Sequence, residues 1–245
     1  KGAFSEPVLY GGRGERLVSD VDVLVSAQDM PRVAKALESI DYERVIFPEH
    51  RFTNDIGKEW LFKPTSGTGL AIDLHRGLAN RPFALDPARL LARAEHYESV
   101  DGPILSLEPT DQVLYAAVHY SNHSFALDGR HFEDTRRLLE RFPVDWRRAE
   151  RIARRGSFSL ALRRLREWLE LDERSPIRRR MDDARFRLCA AALSTEWGSA
   201  STAIRWGASA VLSGRPLFPL EACARYGVGR VGDFIAARKH AKQAP

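Results

Sequence analysis

Asp20 and Asp22 stand two residues apart in the stretch SDVDVLVS from Ser19 to Ser26, where polar and apolar residues alternate with the period of a β-strand. Strand side chains point alternately to opposite faces, so both carboxylates share one face while Val21, Val23 and Val25 share the other. Two like charges set side by side are costly unless they face water, share a proton or bind a cation. Their oxygens are hard donors of the kind Mg²⁺ takes together with phosphates. An isolated Asp-x-Asp is more often a solvated strand edge, and a second acidic strand changes that balance. In LAIDLH, Leu70 to His75, Asp73 and His75 share one face and Ile72 and Leu74 the opposite one. If the two strands are neighbours, Asp20, Asp22 and Asp73 converge. Asp20 and Asp22 could then bridge two metal ions, with Asp73 completing the site or taking a proton from an acceptor hydroxyl. That is the chemistry of phosphoryl transfer, which needs positioning and charge neutralisation more than a covalent nucleophile.

The elements that must position these acids are legible from pattern. Asp29 reads as a helix N-cap, Pro31 falls in the first turn, and Val33, Ala34, Leu37 and Ile40 recur at helical spacing, which predicts a helix over 30–40. Tyr42 to Phe47 and Trp60 to Lys63 are strand candidates, and TSGTG from Thr65 to Gly69 is a hairpin turn before Leu70 to His75. From Glu108 the texture becomes helical. Asp111 to Ser121, Phe132 to Phe142, Asp145 to Arg155, Leu160 to Leu171 and Ile177 to Leu193 carry apolar residues three or four apart with Arg and Glu between them. The expected architecture is α+β: an α/β unit over 1–107, then a helical domain over 108–245. No internal repeat or low-complexity tract is present.

Several further residues have two readings. The tetrad GGRG, Gly11 to Gly14, could bring backbone amides to phosphate with Arg13 or Arg16 adding charge, although Gly-rich tetrads are more often plain turns. His75, on the face of Asp73, could touch a phosphate, orient the acid, or be a neutral ring satisfied by a carbonyl. His119 and His123 are four apart on a predicted helix, but no third ligand stands at zinc-site spacing, so a zinc site is rejected. The Arg-dense stretch from Arg136 to Arg187 could form a basic wall for RNA. Its interleaving with Glu140, Glu150, Glu167, Glu170 and Asp172 instead favours solvated faces. Trp146, Trp168, Trp197 and Trp206 lie in apolar helical patterns and read as packing residues.

Composition bounds the rest. The 245 residues are 44% hydrophobic and 29% charged with a formal net charge of +5, enough to build a core and not a polybasic tail. Two cysteines, Cys189 and Cys223, are too few for a disulfide framework and suit a reducing compartment, so a cytoplasmic location is expected. The stretch 200–212 is short, carries Arg205 and is rich in Ser and Gly, so no membrane span is expected there. No signal-peptide pattern is read in the chain, which starts at Lys1.

The order KGA at the start, Arg16 four residues before DVDVLV, then IDLH, then a helix with His119 and Asp134 before RRLL, resembles the uncharacterised bacterial nucleotidyltransferase family of the DNA polymerase beta superfamily. The similarity spans roughly the first 140 residues. The resemblance implies a polymerase-beta-like mixed sheet with flanking helices, two Mg²⁺ or Mn²⁺ ions held by Asp20, Asp22 and Asp73, and an NTP co-substrate. It implies that Lys1 and Gly2 occupy the phosphate-holding turn, with Arg16, His75, His119 and Asp134 toward the nucleotide or acceptor. Asp134 has a second reading, as an acid at a helix start favoured by the dipole. The family Gly-Ser turn is here Gly2-Ala3, and its distance to Asp20 is longer than usual, so the intervening loop must be extended. The implied reaction is transfer of a nucleoside monophosphate to a hydroxyl of a small molecule or modified peptide, as in natural-product pathways, by analogy alone. A nucleic-acid acceptor is the less expected case. Two rivals are a non-catalytic nucleotide-binding module and a toxin-like enzyme that modifies RNA.

Overall fold

The computed structural model describes residues 2–46, 59–79, 83–122 and 129–169. By contacts these fall into two compact units, one holding residues 2–78 and 86–106 and the other 79–85 and 107–169. The first unit is built on a four-stranded mixed sheet of β1 (Asp20–Leu24), β2 (Tyr42–Arg44), β3 (Glu59–Pro64) and β4 (Ala71–His75), in the order β1-β4-β3-β2. β1 runs parallel to β4, while β3 runs antiparallel to both β4 and β2. The TSGTG segment closes the β3–β4 hairpin as expected, with Gly67 and Gly69 at φ +74° and +126°, conformations that strain any residue carrying a Cβ. A second, two-stranded sheet pairs β5 (Glu95–Tyr97) with β6 (Ile104–Ser106).

Alternation decides which face of the larger sheet becomes core. Helix α2 (Met30–Glu38) lays Met30, Val33, Ala34 and Leu37 against Val23, Val25, Trp60, Phe62, Ile72 and Leu74, and Phe62 and Leu74 are fully buried. Val23 and Val25 of SDVDVLVS thus face α2, and the aspartates face the other way. Asp29 does occupy the N-cap position of α2, but its side chain caps nothing. Its carboxylate instead accepts from the Ser26 hydroxyl at 2.6 Å and from Arg32 at 3.1 Å. Besides β5 and β6, two helical elements of this unit escaped the sequence reading. One is the N-terminal helical run, α1 (Gly2–Phe4) continuing as a π-helix over Ser5–Leu9. The other is the short helix α3 (Pro87–Ala92), capped by Asp86 through the amides of Ala88 and Arg89.

The second unit contains α4 (Pro109–Asn122), α5 (Gly129–Arg141), α6 (Trp146–Arg155) and α7 (Ser159–Trp168), within two residues of expectation at most ends. The expected helix over Phe132 to Phe142 begins three residues earlier, and the one over Leu160 to Leu171 ends at Trp168. Asp145 caps α6 by accepting from the Arg148 amide at 2.8 Å. Ser157 is a turn residue at φ 63°, and Phe158 takes the N-cap position of α7. The core of this unit joins Val113, Leu114, Ala117 and Val118 of α4 to Ala149 and Ala153 of α6 and Leu160 to Leu162 and Leu165 of α7. Trp168 stacks edge-on to Phe132 and Tyr120, and Arg166 lies 4.9 Å from the centre of the Trp146 ring, so both tryptophans pack as expected. The expectations for Ile177 to Leu193, 200–212, Cys189, Cys223, Trp197 and Trp206 lie outside the described residues.

Gly156, which ends α6, packs closely against Ala84 and Phe158. A Cβ there would meet Ala84 O at 2.2 Å and Phe158 Cε1 at 2.4 Å. Its carbonyl also accepts from the Ala84 amide at 3.0 Å. Gly156→Ala is therefore expected to destabilise the second unit by about 1–3 kcal/mol through overpacking, measured as a lower urea midpoint at unchanged slope.

Candidate active site

The parallel register pairs Asp20 with Ala71, Asp22 with Asp73 and Leu24 with His75. Directly paired residues point to the same face, so Asp20, Asp22, Asp73 and His75 all lie on the face opposite α2. On β3, Glu59 pairs with His75 and joins that face. Five titratable side chains from three adjacent strands thus share one surface of the sheet.

Their spacing is uneven. Asp22, Asp73 and His75 each offer a ligand atom, all within 4.8 Å of one another, and they are the group of this kind found among the described residues. His75 is 5% exposed, and its Nε2 lies 2.9 Å from Asp22 Oδ1. Its Nδ1 lies 3.4 Å from Glu59 Oε2 without hydrogen-bond alignment. Asp20 sits one pleat toward the start of β1, across from Ala71, and accepts from the Ser19 hydroxyl at 3.1 Å. Burial raises the pKa of Asp73 above its ordinary 3.8. His75 opposes that rise, whereas the negative charges of Asp22, Asp20 and Glu59 add to it. The site is therefore a concentration of negative charge that the protein alone leaves only partly offset. Hard oxygen donors arranged this way fit a divalent cation such as Mg²⁺ or Mn²⁺.

The remaining expected site residues fall in different places. Lys1 lies outside the described residues. Gly2 is buried against Val18, two residues before Asp20, and a Cβ on it would meet Val18 Cγ1 at 3.4 Å. The long interval between Gly2 and Asp20 is thus taken up by a loop that returns the chain to its own start. That loop closes on Glu6, whose carboxylate accepts from the amides of Gly14 at 2.6 Å and Arg16 at 2.8 Å, while its carbonyl accepts from the Gly12 amide at 3.1 Å. The tetrad amide of Gly14, offered above to a phosphate, is taken by an internal carboxylate. Gly11, Gly12 and Gly14 all have φ near +70°, which favours glycine at each turn position. The Arg16 side chain is buried, and its Nη1 donates to the Leu17 carbonyl.

His119 and Asp134 belong to the second unit. His119, on α4, lies against Tyr115 and His131 with ring centres 5.9 and 5.5 Å apart. Asp134 is the sixth residue of α5. A helix dipole acts within the first turn, so the reading of Asp134 as a helix-start charge is corrected by the earlier start of α5 at Gly129. His123 lies outside the described residues.

Glu59 is the site residue that sequence reasoning missed. The signal was present: Glu59 and His75 are each eight residues from Gly67, the centre of the TSGTG turn, so the hairpin register puts them opposite one another.

A cluster of oxygen donors on one face of a small mixed sheet is compatible with the class of enzymes that transfer phosphorus-containing groups. The chain belongs to the family described as uncharacterised nucleotidyltransferase, whose model it matches over residues 1–170. The protein is accordingly a transferase enzyme, a nucleotidyltransferase that takes an NTP as substrate. No curated protein and no solved structure matches the sequence. Among the described residues no helix is long and apolar enough to cross a membrane.

Proposed function

We propose that this enzyme transfers a nucleoside monophosphate from an NTP to an acceptor hydroxyl and releases pyrophosphate, with Asp20, Asp22 and Asp73 as catalytic and metal-holding residues. The observation that carries this reading is the pairing of Asp22 with Asp73 on adjacent parallel strands, with Asp20 on the same face. Two bound Mg²⁺ or Mn²⁺ ions would offset charge on the triphosphate and lower the pKa of the acceptor hydroxyl. The acceptor oxygen forms a bond to the α-phosphorus as the bond to the bridging oxygen breaks, and pyrophosphate leaves. Asp73, directly across from Asp22 on the neighbouring strand, is assigned to holding a cation and to taking the hydroxyl proton. Gly2 and its neighbour Lys1 are assigned to the phosphates on the strength of Gly2 packing beside the start of β1. Arg16 is assigned to positioning the same loop, and His119 and Asp134 to the acceptor side.

The domain division at about residue 107, a bacterial source, membership of the polymerase beta superfamily and a cytoplasmic location belong to the same reading. The acceptor is a small molecule or modified peptide. The test is incubation with each labelled NTP and cell extract, reading pyrophosphate and labelled product. A protein that releases no pyrophosphate under any of these conditions, with Mg²⁺ or Mn²⁺ present, does not carry out this reaction.

One observation favours RNA as a second reading of the acceptor. Five arginines of the helical unit are paired with acids, Arg136 and Arg137 with Glu133, Arg164 with Glu167, Arg166 with Glu150 and Arg148 with Glu108. On α6, however, Arg147, Arg151, Arg154 and Arg155 are exposed, and no ion pair to them is found among the described residues. Their spacing of four, three and one places them along one helical stripe. Opposite that stripe, Ala149 and Ala153 are buried. If the stripe grips a single-stranded RNA backbone, the logarithm of affinity falls with the logarithm of salt with a slope of about −2.8, from about −0.7 for each phosphate neutralised. Replacing all four by Gln is expected to abolish that slope in fluorescence-anisotropy titrations with a labelled RNA. An unchanged slope returns the stripe to a solvated face.

A further inference from the structure

We propose that His75, with Glu59 beside its second nitrogen, is a positioning residue that holds the Asp22 carboxylate in the orientation that receives a cation. The proposal rests on the reading of Asp22 and Asp73 as metal-holding residues and adds a role to two side chains beside them. Three strands contribute one group each: Asp22 from β1, His75 from β4 and Glu59 from β3. The ring is almost wholly buried, with a carboxylate at either nitrogen, Asp22 at 2.9 Å from Nε2 and Glu59 at 3.4 Å from Nδ1. A ring so enclosed has little freedom to rotate, and an N–H at Nε2 finds Asp22 as its acceptor.

The physical need for such a brace follows from the register. Asp22 stands directly across from Asp73, so their mutual repulsion favours rotamers that turn Asp22 away from its neighbour. A hydrogen bond from His75 opposes that turn. It does not exhaust Asp22, because an ionised carboxylate offers about four lone-pair sites. Glu59 stands on the far side of the ring from Asp22 and its own side chain is half exposed, so its influence is the weaker of the two. Partners that orient a metal-holding group from behind typically change metal affinity by about 10–100-fold when removed.

The test measures Mn²⁺ affinity directly, by electron paramagnetic resonance or calorimetry, on the full chain without nucleotide. His75→Leu is expected to weaken Mn²⁺ binding about 10–100-fold. His75→Gln, which retains an N–H donor, is expected to recover most of that loss. Glu59→Gln is expected to weaken binding about tenfold or less, and to add nothing when combined with His75→Leu. Because Glu59 is half exposed, Glu59→Gln keeps the experiment decisive should His75→Leu fail to fold. Wild-type affinity in His75→Leu, no recovery in His75→Gln, or additive losses in the double variant would each overturn the proposal. So would a loss much larger for Zn²⁺ than for Mn²⁺, which marks His75 as a ligand itself. A wild-type protein that binds no Mn²⁺ with or without nucleotide removes the metal-holding reading, and the brace with it. Normal wild-type binding with unaffected variants removes the brace alone.

Discussion

Asp22→Asn is expected to lower the rate of NTP-dependent pyrophosphate release about 10³-fold, with the loss in kcat rather than KM. The expectation follows from where Asp22 stands. It pairs with Asp73 in the parallel register, and its carboxylate is hydrogen-bonded to His75. Asn preserves the shape and removes the charge, so the nucleotide's sugar and base contacts persist while stabilisation of charge developing in the transition state is lost. Single groups of this kind contribute about 10²–10³ in kcat elsewhere, and a residue that also anchors a neighbour belongs at the upper end. Asp20→Asn is expected to cost less, about 10²-fold. Asp20 faces Ala71 rather than an acid and is not among the side chains gathered within 4.8 Å. Circular dichroism and thermal melts establish that each variant is folded. If Asp22→Asn retains activity within tenfold of wild type, the acids of β1 are not the catalytic centre.

The second large effect is on stability and its dependence on metal. Burial and the neighbouring negative charges of Asp22, Asp20 and Glu59 outweigh the opposing effect of His75 and raise the pKa of Asp73. The sign follows from proton counting. Between pH 3.8 and the raised value, the folded chain holds more protons at this position than the unfolded chain. Stability therefore falls as pH rises through that window, and the penalty is complete above it. Asp73→Asn removes the penalty, so the metal-free variant should melt above metal-free wild type at pH 7 and lose the stability fall that wild type shows above pH 3.8. In a chain of this size each 1 kcal/mol of relieved penalty appears as about 2–4 °C in melting temperature. Millimolar Mg²⁺ or Mn²⁺ should raise the melting temperature of wild type by a similar amount and leave the variant almost unmoved, because binding to the folded state alone stabilises it. The same substitution should lower turnover about 10²–10³-fold. A variant that is both more stable and inactive is the signature of a site where stability has been given up for function. A lower melting temperature in Asp73→Asn, with an undiminished response to metal, would show that the carboxylate serves the fold and not the chemistry.

How much of this was legible beforehand depends on the range of the interaction involved. The alternation in SDVDVLVS and LAIDLH determines which residues share a face, because pleating is a property of the strand itself. Val23 and Val25 do meet α2, and the aspartates do face away from it. The TSGTG turn determines the β3–β4 register, since a hairpin pairs residues equidistant from its turn, and Glu59 was recoverable on that ground. Helical periodicity marked all four helices found among the described residues of the second unit, because the apolar spacing that buries a helix face is carried by its own sequence.

What only the tertiary structure decided is who meets whom across the chain. Nothing local to β1 states that it lies parallel beside β4, and that one pairing turns two separate acidic strands into a site. The partner of His75 could not be read from Asp73 two residues away, because the ring reaches sideways to Asp22 on the neighbouring strand. Glu6 captured the Gly14 amide that spacing alone had left available to a phosphate, and Glu108, Glu133, Glu150 and Glu167 selected which arginines are neutralised. Periodicity is written into each segment by backbone geometry, whereas hydrogen bonds and charge pairs are set by distances that exist only once the segments have packed.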